Sequence, residues 1–192
     1  MIQPARLTEI LHTYQIHYPG ESALAAELEE ALSVADGDPT ARSTLPGHFT
    51  ASALVLSPEG THTLAIHHAL LGIWIQPGGH IDPGEPSLRE CARREAVEET
   101  GLQDLRPIFP EQGEVPFYID SHPIPFNERK QEPAHQHYDF RYAFYADPSQ
   151  PLQAEAGAVI DVAWMAVDDD RLDDSVRRSA RKLLQLLAHK PA

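Results

Sequence analysis

Gly78-Gly79-His80-Ile81-Asp82-Pro83-Gly84-Glu85 leads, through a charged run, into Arg94-Glu95-Ala96-Val97-Glu98-Glu99-Thr100-Gly101-Leu102. Glycine and proline dominate the first part, which predicts a loop. From Ser87 to Thr100 there is neither, and Arg, Glu, Ala and Leu recur. These residues lose little side-chain freedom in a helix, so a helix is predicted there, ended by Gly101, which tolerates positive φ. Glu95, Glu98 and Glu99 then fall at i, i+3 and i+4 on one helix face. A solvated acidic face is the plain alternative, but it does not explain the glycine loop leading into the helix. Hard divalent cations take several oxygen ligands. Mg2+ or Mn2+ is therefore expected rather than zinc, because no Cys or His lies within the glutamate cluster.

This stretch resembles the Nudix box. Gly79, Glu85, Arg94, Glu95, Glu98, Glu99, Gly101 and Leu102 match its pattern, with two departures. Eight residues rather than seven separate Glu85 from Arg94, and Ala96 replaces a larger aliphatic. The resemblance extends over roughly residues 45 to 170 and includes a subgroup whose box begins Gly-Gly-His. It implies an α+β or α/β Nudix fold, a mixed sheet sandwiched between helices. It also implies hydrolysis of a diphosphate linked to another moiety. In that reading Glu98 and Glu99 are the main metal ligands, and Glu95 is a ligand or the general base. Arg94 orients the glutamates, Glu85 supports the site, and the Gly79 carbonyl completes the coordination. By position, Glu155 is the candidate for a further carboxylate from the loop before the Trp164 strand.

Beyond the box, the 192-residue chain reads as one domain with an extension, residues 1–44 and 45–192. Leu7, Ile10, Leu11 and Tyr14, then Leu24, Leu28, Ala31 and Leu32, recur at helical spacing on either side of Pro19-Gly20. They predict a helical hairpin packed on the domain or on a second subunit. Apolar residues make up 42% of the chain, enough for a core. The lone cysteine, Cys91, excludes an internal disulfide, fits a reducing compartment and reads as a packed thiol. The N-terminus lacks a signal-peptide pattern and no apolar run is long enough to span a membrane, so a soluble, cytoplasmic protein with no membrane partner is expected. A formal charge of −14 disfavours a nucleic-acid polymer as partner. A small-molecule diphosphate substrate remains compatible if cations and arginines reverse the field locally. A homodimer is the family-level expectation.

Phe49–Leu56 and His62–Ala69 predict a hairpin about Pro58-Glu59-Gly60-Thr61, and His62, His67 and His68 read as ordinary strand or loop histidines. Trp74 leads a strand into the glycines, and His80 is expected to line the cleft. Further strands are predicted over Leu102–Phe109, Val115–Ser121 and Val159–Val167. The proline-rich loop with Pro123, Pro125, Asn127 and Pro133 reads as a substrate-facing lid. A helix start is expected at Asp168–Asp170 and a last helix over Asp174–His189. Its Arg177, Arg178, Arg181 and Lys182 read as a solvated basic face. Of the aromatics, Phe117, Tyr118 and Phe126 read equally as base-stacking or core residues.

The run from His135 to Tyr145 alternates. Tyr138, Phe140, Tyr142 and Phe144 share a core face, and His135, His137, Asp139 and Arg141 share the other. Substrate contact by His135, His137, Asp139 and Arg141, joined by His80 and His122 from outside this run, is the first reading of that second face. A plain exposed polar face is the second, and a metal site of His122, His135, His137 and Asp139 the third. Two rivals to the hydrolase stand beside it: a non-catalytic ligand sensor, and an isomerase of isopentenyl diphosphate type, for which Cys91 is poorly placed.

Overall fold

The computed structural model describes residues 2–128 and 131–189. Its helices are α1 (Pro4–His17), α2 (Ser22–Val34), α3 (Leu88–Thr100) and α4 (Asp174–Ala188). Its strands are β1 (Gly47–Leu56), β2 (His62–His68), β3 (Trp74–Ile75), β4 (Gly78–His80), β5 (Arg106–Pro107), β6 (Tyr118–Ile124), β7 (His135–Tyr145) and β8 (Val159–Ala166). The eight strands follow the hydrogen-bonded order β3-β2-β1-β7-β5, with β4 on β1, β6 on β7 and β8 on β2. The α+β organisation is the expected one.

The chain condenses into two compact units, and the division runs through β1, α3 and β7. The first unit holds α1, α2, β6 and the leading halves of β1 and β7. Pro19–Glu21 forms a short 3-10 turn between the helices, where the Pro-Gly break is read. Leu7, Ile10, Leu11, Tyr14, Ala25 and Leu28 are buried, which is the apolar stripe the helical spacing predicts. The Tyr14 hydroxyl donates to the Glu21 carboxylate, and α2 packs on β6. Antiparallel pairing of β6 and β7 runs from Tyr118↔Arg141 to Ile124↔His135. Phe49 and Phe140 stack with centroids 5.5 Å apart, and Phe117 and Ile119 complete this core.

In the second unit β2 pairs with β8 over His62↔Ala166 to His68↔Val159 and with β3 through Ile66↔Ile75. Gly60 at φ +70 closes the hairpin, its N–H donating to the Ser57 carbonyl. Leu54, Val55, Leu56, Leu64, Ile66 and Phe144 form the core, and α4 buries Val176, Ala180 and Leu183.

Several elements depart from expectation. Gly78–His80 is a short strand rather than loop. The strand predicted over Leu102–Phe109 contracts to Arg106–Pro107, paired with Tyr145 and Phe144, with the Ile108 N–H donating to the Ala143 carbonyl at 2.9 Å just beyond it. The next strand lies at Tyr118–Ile124, displaced from Val115–Ser121. Asp168–Asp170 does not begin a helix; α4 starts only after Asp173, whose carboxylate accepts the Ser175 N–H at 2.8 Å. Arg177 in that helix is ion-paired to Asp170 and Asp174 rather than simply solvated.

Candidate active site

The glutamate face of α3 forms as read. Arg94 Nη1 donates to Glu95 Oε1 and to Glu98 Oε2, each at 2.8 Å, so one guanidinium holds two carboxylates. Glu99 is buried, and its Oε2 accepts the Gly78 N–H at 2.9 Å. Glu155 comes to the same end of the helix, its N–H donating to the Glu99 carbonyl at 3.3 Å. Gly101 ends α3 at φ +76 beside Gln153, where a Cβ would lie 3.1 Å from the Gln153 backbone nitrogen. That glycine therefore brings the loop carrying Glu155 against the helix.

Burial pushes the Glu99 carboxyl up to about 8, aided by the charges of Glu95, Glu155 and Glu98 and opposed by the Gly78 N–H. Glu95, Glu98, Glu99 and Glu155 offer hard oxygen donors of the kind that fits Mg2+ or Mn2+. Glu95 and Glu98 meet Arg94 and Glu99 meets the Gly78 N–H, and among the described residues no three of these carboxylates are drawn to a common point. Glu85 sits in a turn, its N–H donating to the Asp82 carbonyl at 3.2 Å ahead of α3, while Gly79 lies in β4. Cys91 is buried, its thiol donating to the His80 carbonyl at 3.4 Å.

The first unit holds a separate cluster of imidazoles. The His48, His135 and His137 ring centroids lie 4.8–4.9 Å from one another. His80 reaches within 5.0 Å of His48, and His122 within 5.6 Å of His137. Burial holds three of these rings neutral: His48 falls to about 4, further lowered by His135; His80 to about 3, further lowered by Arg42; His137 to about 2, further lowered by His80.

The polar face of β7 is not exposed. Asp139 is 2% and Arg141 1% exposed. Arg141 Nη2 lies 3.5 Å from Asp139 Oδ2 and 3.8 Å from Asp120 Oδ2, and Thr50 donates to Asp139 Oδ1 at 3.1 Å. Plain surface pairing is thus corrected to a buried ion network. In the proline-rich loop, Glu132 grips Arg42 through both oxygens at 2.8 and 3.0 Å.

Sequence reading missed His48 and Asp120. The signal for His48 is alternation: His48, Thr50 and Ser52 are polar every second residue, yet all of β1 is buried. On β6 the same period puts Asp120 with His122.

A family profile described as NUDIX domain matches residues 46–187. A Lactococcus lactis subsp. cremoris protein described as a probable DHNTP pyrophosphohydrolase is 34% identical over 107 residues, 56% of this chain and 59% of that one. This chain therefore aligns with less than two thirds of that relative's length. Among solved structures, a NUDIX-family hydrolase from Clostridium perfringens matches with a TM-score of 0.53 at 24% identity, over 73% of this chain and 97% of that one. The E. coli dihydroneopterin triphosphate pyrophosphohydrolase matches with a TM-score of 0.55 at 10% identity, over 72% and 95%. These two structures speak to the fold. With the profile spanning most of the sequence and the glutamate helix intact, the chain belongs to the NUDIX family.

Proposed function

We propose that the protein is a pyrophosphohydrolase dependent on Mg2+ or Mn2+, cleaving a small-molecule diphosphate by attack of water at phosphorus. The observation that carries this reading is the buried Glu99 beside Glu95, Glu98 and Glu155, with a single arginine bridging two of them. That arrangement is costly unless a cation shares it. When bound, the metal supplies charge neutralisation of the diphosphate oxygens and a lowered pKa for the attacking water.

Glu98 and Glu99 are the main ligands in this proposal. Glu95 is a ligand or the base that accepts the water proton. Arg94 fixes the rotamers of Glu95 and Glu98 through its two bonds. Glu155, Glu85 and the Gly79 carbonyl complete the set. Glu99, with its carboxyl raised by burial, is a group that a cation would return to the charged form. His80 and His122 are proposed to face substrate. Asp139 and Arg141, buried together, would hold β6 to β7 rather than meet the ligand directly.

The substrate class is a diphosphate linked to a further group. DHNTP, named for the Lactococcus relative, belongs in any panel beside nucleoside and sugar diphosphates. A cytoplasmic location and a homodimer are part of this proposal. The test is release of phosphate or pyrophosphate across that panel with Mg2+ or Mn2+, run beside Glu98→Gln. Metal-dependent cleavage, reduced on the order of 100-fold or more in the variant, is expected, since removing one transition-state contact of this kind costs about that much. Tight binding of one member without cleavage in either protein would replace the hydrolase with a sensor.

A further inference from the structure

We infer that His48, His135 and His137 form a binding site for a borderline divalent transition metal, Zn2+ being the best fit, distinct from the glutamate set on α3. The nitrogen donors of the three residues all lie within 4.8 Å of one another. No other group of three His, Cys, Asp or Glu side chains is so drawn together among the described residues.

Backbone pairing builds the site. His135 and His137 are two apart on β7 and so share a face. The Gln136 N–H between them donates to the Pro46 carbonyl at 2.9 Å, which brings the start of β1, and His48, against that face. Gly47 permits this approach, because a Cβ there would lie 2.4 Å from the Gln136 carbonyl oxygen.

The rings are also oriented as ligands. His135 Nδ1 lies 2.8 Å from the Pro133 carbonyl oxygen. A carbonyl only accepts, so Nδ1 carries the proton and, in the neutral ring, Nε2 presents its lone pair. Such a carbonyl partner on the far nitrogen is the usual support of a metal-bound histidine. His137 Nε2 sits 3.1 Å from His135 Nε2. Two nitrogens on one tetrahedral Zn2+, at Zn–N of 2.0–2.1 Å, are about 3.3 Å apart. Without metal, His137 Nε2–H donates to His135. On binding, that proton leaves Nε2 for solvent and Nδ1 takes one up, freeing the second lone pair.

His48 is the strongest argument. It is fully buried, and neither ring nitrogen makes a well-formed hydrogen bond among the described residues, the Thr44 backbone giving it only a weak polar contact. An apolar ring would fill that space without leaving polar atoms so poorly satisfied. A metal shared with His135 and His137 gives one of them a partner. Three neutral imidazoles suit Zn2+ and its neighbours in the first transition row, not Mg2+. The fourth position falls to water, to a substrate oxygen or to one of the bordering imidazoles of His80 and His122.

The inference is independent of the hydrolase reading, and its test reads metal rather than turnover. Chelator-stripped full-length protein is titrated with Co2+ and with Zn2+ in the presence of excess Mg2+. One equivalent of each is expected to bind, with the intense visible bands of tetrahedral Co2+, in the wild type and equally in Glu98→Gln. In His137→Gln, affinity falls at least tenfold. Ring-nitrogen NMR of the wild type provides a check that needs no variant: His135 and His137 resonances shift together on adding Zn2+. Absence of stoichiometric binding overturns the inference. So does a site lost in Glu98→Gln but kept in His137→Gln, or unshifted imidazole signals at saturation.

Discussion

At the residue scale, the histidine cluster carries a penalty that depends on pH. His48, His80 and His137 have folded pKa values of about 4, 3 and 2, below the 6.5 of an unfolded histidine. Above pH 6.5 both states are neutral and the groups have no effect. As pH falls below that value the unfolded chain takes up protons that the folded rings refuse, so stability drops. Burial is the largest cause at each ring; neighbouring imidazoles and, at His48 and His80, Arg42 act in the same direction, and the opposing pull of Glu132 on those two rings is smaller. Thermal unfolding of metal-free protein is therefore expected to show Tm falling between pH 6.5 and 4.5. His137→Gln, which has nothing to protonate at that position, should show a shallower fall. Equal slopes would mean that the rings are not excluded from water.

Glu99 has the opposite sign. Its carboxyl is raised to about 8, so the folded protein holds a proton that the unfolded chain releases near 4.5. The stability this confers is present at low pH and is lost as pH rises through about 8. Glu99→Gln keeps an acceptor for the Gly78 N–H and removes the charge. In metal-free protein it should unfold at higher temperature than wild type at pH 8.5 and equally at pH 4. Saturating Mg2+ should then favour the wild type at the higher pH, because only a carboxylate repays the cation. A thermal shift series at the two pH values, with and without Mg2+, checks this.

At the element scale, the meeting of β1 and β7 rests on a missing side chain. At Gly47 a Cβ would meet Gln136 O at 2.4 Å and Tyr138 Cε2 at 2.9 Å. The first contact is backbone on an internal strand and cannot swing aside. Gly47→Ala is expected to cost about 1–3 kcal/mol, as overpacking does, or roughly 2–12 °C in Tm for a chain of this size. It should also weaken Co2+ binding, because His48 follows directly and moves with the strand. Chemical denaturation and the Co2+ titration read the two effects together. Gly37→Ala, with nothing within 4 Å of its Cβ position, is the comparison for backbone strain alone, since Gly37 is at φ +104.

At the scale of the whole molecule, the N-terminal helices are part of a core. Leu7, Leu11, Tyr14 and Leu28 are fully buried, α2 packs on β6, and Arg6 reaches Glu114 at 2.9 Å. The family profile begins only at residue 46, so a shortened protein starting there would be the minimal domain by sequence. Removing residues 1–34 strips at least Leu7, Ile10, Leu11, Tyr14 and Leu28 from a packed face. Burial of each is worth about 1.5–3 kcal/mol, a sum comparable with the stability of a whole domain. The truncated protein is expected to be aggregated or molten by near-UV circular dichroism and gel filtration. A cooperative, monodisperse unfolding transition would show that the helices are an appendage.

Local chemistry was enough to read some of this molecule from its residues. The α3 helix, its glutamate face, its glycine stop and the two N-terminal helices follow from side-chain entropy, a 3.6-residue period and the backbone freedom of Gly101. All of these act within a few residues. The alternation along β7 was legible for the same reason. What its second face met was not. Asp139 and Arg141 read first as ligand contacts and second as surface pairing, and only pairing with β6, which carries Asp120, and with the Thr50 hydroxyl on β1 makes them a buried network. His48 lay 87 residues from His135 with no local mark but a polar alternation in an apolar strand. Its company was decided by strand register, a long-range property set by backbone hydrogen bonds and by one glycine that lets two strands close. Glu155 was read as a candidate from its place before the Trp164 strand, and a loop hydrogen bond from its N–H to the Glu99 carbonyl brings its backbone to the helix end. The sequence by itself determined which residues form the glutamate helix. The tertiary structure alone decided which imidazoles share a point in space, because strand register is set by long-range backbone pairing.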